Sequence, residues 1–338
     1  MILALIFVIA GIALLGYAAD EFVAGAARIA VKFNVSAVVV GAVIIGFGTS
    51  LPEMLVSGVA AGQGDQELGI GNIIGSNVAN LSLVLGVAAI ITAIPVGIAT
   101  LRRELPLSVG SVVVFALLVQ GGVSRVEGFV LAIGLAAIMG YLLMQANTSD
   151  VDLSEEIDDI GDPDTILAST EWVRTILGLV GTVLGAWLLV EGATTIADKF
   201  GVSGGFVGLT LVAIGTSLPE LVTAVAAVRK GHTDLIVGNL LGSNIFNSLA
   251  VGAVVGITGP SEVDDAALLG TAVLIMVGVA VFAGLFMLTD RKVVRWEAAA
   301  LLVGYLVSMP LTISEEVTCT DEEQAIECVE EDTVSTGS

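Results

Sequence analysis

Gly48-Thr49-Ser50-Leu51-Pro52-Glu53, followed by Gly71-Asn72, Gly75-Ser76-Asn77 and Asn80, is answered later in the chain. The second version reads Gly215-Thr216-Ser217-Leu218-Pro219-Glu220, then Gly238-Asn239, Gly242-Ser243-Asn244 and Asn247. Every matching pair is offset by 167 positions without a gap, and 15 of 35 positions are identical between 46–80 and 213–247. Such self-similarity marks an internal duplication. Each copy sets a proline and a carboxylate inside an otherwise apolar run, where both are costly unless they are used. The functional site is expected there.

Working outward, the 338 residues are 56% hydrophobic and only 14% charged, with 41 glycines. Apolar runs of about 18–25 residues recur, the length a helix needs to cross a bilayer. Hydropathy places ten spans at 2–20, 36–61, 68–93, 104–120, 126–146, 172–192, 203–228, 235–258, 266–288 and 296–312. The expected fold is an all-α membrane protein of ten transmembrane helices, arranged as two inverted five-helix repeats. The repeats are 1–146 and 171–312, joined by a linker at 147–170 and followed by a tail at 313–338. Because five is odd, the two copies cross the membrane in opposite senses, a layout that places transporter sites at the repeat interface near the midplane. Met1 to Ala19 lacks a positive n-region and a cleavage site, and reads as a retained span rather than a signal peptide.

The net charge of −22 is concentrated outside the spans, with eight acids in 150–164 and nine after 312, together half of the 34. Acidic water-facing segments argue against nucleic acid as a partner. Of the 12 basic residues, only Arg125 and Lys199 fall on one side of this topology, against ten on the other. That bias makes the linker cytoplasmic, both termini extracellular and the protein multi-pass in the cell membrane. Asp150, Asp152 and Ser154 have EF-hand spacing, but Glu155 stands where that loop needs Gly, so the linker reads as a solvated acidic segment. Cys319 and Cys328 both lie in the tail, away from the motif, where one disulfide and two free thiols are equally open.

The chemistry follows from the doubled motif. Pro52 and Pro219 each remove an N–H, so carbonyls one turn earlier lose their partners. In a bilayer those groups need protein, water or an ion. Helical spacing puts Thr49 and Ser50 on the face of Glu53, and Thr216 and Ser217 on that of Glu220. Ser76 with Asn80, and Ser243 with Asn247, are i and i+4 on the next span. Every candidate ligand is oxygen, and no Cys or His lies within a span, which selects hard cations. Calcium takes about 6–8 oxygens, usually with more than one carboxylate, and Glu53 with Glu220 would balance its charge. Hydroxyls can instead bond helix backbones, and Asn80 or Asn247 can glue helices together; an intramembrane carboxylate is functional by default. The Gly71/Gly75 and Gly238/Gly242 pairs read as tight helix packing.

At these residues the chain resembles the cation/Ca²⁺ exchanger family, in particular its archaeal sodium/calcium exchangers, over essentially all ten spans. The two GTSLPE…GSN…N blocks are similar to that family's paired α-repeats. The resemblance implies an antiporter, not an enzyme, that exchanges three Na⁺ for one Ca²⁺ by alternating access, with spans one and six sliding over the other eight. It implies that Glu53 and Glu220 coordinate Ca²⁺ with backbone oxygens of Thr49 and Thr216. Ser50, Ser76, Ser217 and Ser243, with the carbonyls of Gly46 and Ala213, would complete Na⁺ sites. Some relatives, including potassium-dependent ones, carry Asp at the position of Asn247. Here Asn80 and Asn247 are both amides, which argues against K⁺ co-transport. No cofactor is expected, since Ca²⁺ and Na⁺ are transported substrates. The lipid bilayer is the one required partner, and no oligomer is required.

Gly62-Gln63-Gly64-Asp65 spells the GxGD of intramembrane aspartyl proteases, but it sits at a span end and its sole candidate partner, Asp20, is placed at a helix end. The rivals are a Ca²⁺/H⁺ exchanger using the same carboxylates and a passive cation channel. Protons compete with cations for two buried, mutually interacting carboxylates. Calcium transport is therefore expected to slow between neutral pH and about pH 5, and a flat profile of vesicle ⁴⁵Ca uptake over that range would contradict this.

Overall fold

The computed structural model describes residues 1–32, 50–146, 167–230 and 233–312. It is almost wholly helical. Helix α1 (Ile2–Lys32) precedes α2 (Leu51–Gly62) and α3 (Gln66–Ile91); a short turn of helix at Ile98–Arg102 leads into α4 (Glu104–Leu118) and α5 (Arg125–Ala146). The second half runs α6 (Ala168–Phe200), α7 (204–216), α8 (Leu218–Lys230), α9 (234–258), α10 (Ala267–Leu288) and α11 (Arg295–Ser308).

Seven stretches among the described residues are long and apolar enough to cross a bilayer. The rest fall short: α4 has 15 residues and α11 has 14, while the described part of the expected span 36–61 has 12. The expected count of ten is therefore not reached among the described residues. The linker, the tail with both cysteines, and His232 lie outside them.

Two boundaries differ from the hydropathy reading. Helix α1 does not stop near residue 20 but continues through Asp20, Glu21 and Arg28, and α6 runs from Ala168 to Phe200. The cause is pairing. Arg174 holds Glu21 with two guanidinium nitrogens, and Glu171 lies 3.4 Å from Arg28 and 3.7 Å from Arg174. Charges that end an isolated apolar run are satisfied here between two helices.

Glycine makes the α1–α6 contact possible. A Cβ on Gly11 would meet the Leu189 backbone nitrogen at 2.7 Å, and one on Gly185 would meet that of Leu15 at 2.7 Å. The contacts are reciprocal under the 167-residue offset. Gly11 faces Gly185 and Leu189, while its counterpart Gly178 faces Ala18 and Phe22; Gly25 faces Glu171 and Thr175, while Gly192 faces Ala4 and Val8. Low to high residues meet high to low, so the helices are antiparallel.

Helices α3 and α9 form the buried centre. Gly71 and Gly75 of α3 lie directly on α7, against Gly205, Leu209 and Ala213, and Gly208 of α7 lies against Leu68 and Asn72. The expected tight packing is thus seen for the first glycine pair. In the second copy Gly238 comes within Cβ contact of Glu104, and Gly242 meets nothing within 4 Å among the described residues. The positions that would mirror Gly75's partners, 42 and 46, are not among them.

The connections at each end of the bundle are tied. Gln66 donates to the carbonyls of Val123 and Gly259 and accepts from the Val123 amide. At the other end of α3, β1 (Ile94–Pro95) pairs antiparallel with β2 (Lys292–Val293). Asp65, the aspartate of the GxGD, caps α3 by accepting from the Leu68 amide at 2.9 Å.

Adding bulk where α3 touches α7 backbone forces the helices apart. Gly75→Val should lower stability by about 1–3 kcal/mol, whereas Gly304→Ala, in open space, should be neutral or stabilising. Thermal melts in detergent distinguish the two; equal effects would contradict the packing described.

Candidate functional site

In the second copy the helix breaks at Ser217 and restarts at Leu218, and in the first α2 starts at Leu51, directly after Ser50. Ser50 has φ −94°, ψ 7° and Ser217 has φ −87°, ψ 4°, outside helical values, with Pro52 and Pro219 in the first turn of α2 and α8. Proline is well tolerated in that position because the first helical N–H groups have no partner anyway. The same turn carries Glu53 in α2 and Glu220 in α8. A helix N-terminus favours a negative charge, so the break both places and supports each carboxylate.

Glu53 and Glu220 are buried, and neither oxygen of either carboxylate has a hydrogen-bond partner among the described residues. The two lie near enough for their charges to act on each other. Thr216 and Ser217, from the second copy, approach Glu53 of the first. Sequence spacing groups each glutamate with the hydroxyls of its own copy; the fold also brings it to those of the other. The hydroxyls of Ser50, Ser217 and Ser243 are buried and without a partner among the described residues, as are the Asn80 oxygen and both ends of the Asn247 amide. Thr216 donates to the Asn72 side-chain oxygen (3.2 Å) and to the Ala213 carbonyl (3.3 Å), which also accepts the Ser217 amide at 3.0 Å. Ser76 donates to Asn72 at 3.5 Å. Gly46 and Thr49 lie outside the described residues.

Three features were not read from the sequence. Asn72 joins three helices: its nitrogen donates to Ser57 (2.9 Å) and to the Glu53 carbonyl (3.4 Å), while its oxygen serves Thr216 and Ser76. The duplicated Gly-Asn at 71–72 and 238–239 was the available signal. Second, α3 and α9 each loosen into a π-turn that begins at the motif asparagine, Asn80–Val84 and Asn247–Val251. Such turns concentrate at functional sites. Third, Asp20 lies within α1 rather than at its end, and its charge acts on Glu220.

Uncompensated buried charge costs several kcal/mol per ion. The buried oxygens are two carboxylates and several neutral side-chain oxygens, the donor types of a hard cation. Among the described residues no group of three or more His, Cys, Asp or Glu side chains could hold a metal.

Comparison with known proteins follows the same lines. The family profile described as "Sodium/calcium exchanger protein" matches residues 3–144 and 170–313. An uncharacterised membrane protein of Methanocaldococcus jannaschii is 35% identical over 312 residues, covering 91% of this chain and 98% of that one. The sodium/calcium exchanger MaX1 of Methanosarcina acetivorans is 28% identical over 341 residues, covering 90% and 95%. A solved structure of the sodium-calcium exchanger NCX_Mj, soaked with Na⁺ and Sr²⁺, matches with a TM-score of 0.63 at 32% identity, covering 91% of this chain and 98% of that one.

A cation that relieves the two glutamates must stabilise the fold. Ca²⁺ at 100 times its dissociation constant should add about 2.7 kcal/mol, read as a higher melting temperature in detergent. Replacing Glu53 and Glu220 together by Gln should abolish that shift and raise the melting temperature in chelator. An unchanged Ca²⁺ response in the double variant would remove the site from these residues.

Proposed function

This chain belongs to the sodium/calcium exchanger protein family, which makes it a membrane transporter rather than an enzyme, and we propose that it exchanges three Na⁺ for one Ca²⁺ across the cell membrane by alternating access. The observation that carries the reading is the pair of buried, unpartnered carboxylates, one from each copy of the motif, acting on one another.

In this proposal Glu53 and Glu220 hold Ca²⁺ together with backbone oxygens of Thr49 and Thr216. Ser50, Ser76, Ser217 and Ser243, with the carbonyls of Gly46 and Ala213, hold Na⁺, and Asn80 and Asn247 present amide oxygens between them. The unpartnered state of Ser50, Ser217, Ser243 and the Asn80 oxygen supports these assignments. One divalent ion or several monovalent ions can offset the same two negative charges, but they compete for the same oxygens. Occupancy by one cargo thus excludes the other.

Coupling follows from the cost of the bare site. Two carboxylates shut off from water without a cation carry a penalty of several kcal/mol per ion. The empty carrier is slow to change the side it faces, and each reorientation carries cations of one kind. Neutral amides at 80 and 247 leave the site charge at that of the two glutamates, which disfavours K⁺ as a further cargo.

The proposed frame is ten spans in two inverted repeats, with the linker in the cytoplasm and both termini outside. The reciprocal α1–α6 contacts support it. So do the starts of the two matched stretches, residues 3 and 170, which differ by the 167 of the motif offset. The ten-to-two distribution of basic residues supports the orientation.

In proteoliposomes at fixed pH, an opposing Na⁺ gradient should drive ⁴⁵Ca uptake, and Glu53→Gln or Glu220→Gln should reduce it by about a hundredfold, as expected for loss of a charged ligand worth roughly 3 kcal/mol. Uptake driven by a pH gradient with no response to Na⁺ would indicate proton exchange instead. Flux with no counter-ion requirement would indicate a channel.

A further inference from the structure

We infer that Asn244 is a positioning residue that turns the Asn80 side chain so that its oxygen, and not its nitrogen, faces the transported ions. This rests on the proposed role of Asn80 as an ion ligand. Hydrogen-bond polarity sets the direction, starting at a group whose polarity cannot change. The backbone carbonyl of Asn77 in α3 can only accept. The buried Asn244 side chain in α9 donates its Nδ2 to that carbonyl at 3.1 Å. Its Oδ1 is thereby left on the opposite side, where it accepts from Nδ2 of Asn80 at 3.1 Å. Asn80 has spent its donor end on Asn244, and its Oδ1 is buried with no partner among the described residues.

The result is a relay of fixed direction: carbonyl, amide, amide, cation. Reversing the Asn80 amide alone would set its oxygen against the Asn244 oxygen, and reversing both amides would set the Asn244 oxygen against the Asn77 carbonyl; either would aim an N–H at a site for positive charge. Burial raises the penalty for either error, since a buried polar group without a partner costs about 1–3 kcal/mol.

The second copy lacks this relay. Asn77, the counterpart of Asn244, donates to the Ile73 carbonyl (2.9 Å) and to Ser248 (3.4 Å). Neither end of Asn247, the counterpart of Asn80, has a partner among the described residues. Two residues that the sequence makes equivalent are therefore held differently, Asn80 by Asn244 and Asn247 by no hydrogen bond among those residues.

The test is the apparent KM for Ca²⁺ in Na⁺-driven ⁴⁵Ca uptake by proteoliposomes. Asn80→Ala comes first; an unchanged KM would refute the ligand role of Asn80 itself, independently of Asn244. Asn244→Leu, which cannot accept from Asn80, should raise KM by about tenfold, the equivalent of one buried hydrogen bond. Asn244→Ala serves in parallel should the leucine variant not fold. In an Asn80→Asp background either oxygen of the carboxylate can face the ion, so removing Asn244 there should no longer raise KM. An equal penalty from Asn244→Leu in both backgrounds would show that Asn244 only packs the helices and would overturn the inference.

Discussion

Two carboxylates buried without hydrogen-bond partners among the described residues are the constraint on which this architecture depends. Water would satisfy them, but Glu53 and Glu220 sit in the first turns of α2 and α8, shielded by the central helices α3 and α9. A fold selected for stability alone would not keep them, since well-packed apolar residues are often no worse than buried charges. Other features of the two copies go with them: α2 and α8 start just before the charges, serine hydroxyls have no partner among the described residues, and π-turns begin at the asparagines. Each feature alone is a small defect in a helical bundle.

The close approach of helices is what holds such defects in place. Gly71, Gly75 and Gly208 let α3 and α7 meet backbone to backbone, and this brings Thr216 onto Asn72 across the two halves of the chain. Asn72 in turn fixes the Glu53 carbonyl and Ser57. In the second copy, position 224 is Ala where Ser57 stands in the first. The halves therefore repeat the glutamates faithfully and the supporting network only in part.

Much of this was legible in the sequence, and for definite reasons. The 167-residue offset, the apolar periodicity and the Pro-Glu pair inside each motif all survive as residue identities. What was not legible depends on pairing in space. The extension of α1 to Lys32 needs Arg174 and Glu171 from α6, and hydropathy sees only the charges of Glu21 and Arg28. A π-turn is a slip of hydrogen-bond register with no residue signature of its own, so Asn80 and Asn247 read as ordinary helical positions. The approach of Ser217 to Glu53 crosses from one copy to the other and has no linear spacing to betray it. Asp20 was dismissed because its helix was drawn too short.

The α1–α6 pair is fastened unevenly. Its seam is glycine against backbone along most of its length, while the side-chain ties among Glu21, Arg28, Glu171 and Arg174 gather at the end where α1 finishes and α6 begins. A zipper closed by a clasp at one end opens from the other. Fraying of this pair should start near Met1 and Phe200, away from those ties, and die out toward the clasp. Lipids that wedge between helices would therefore find their purchase at one face of the membrane and not at the other.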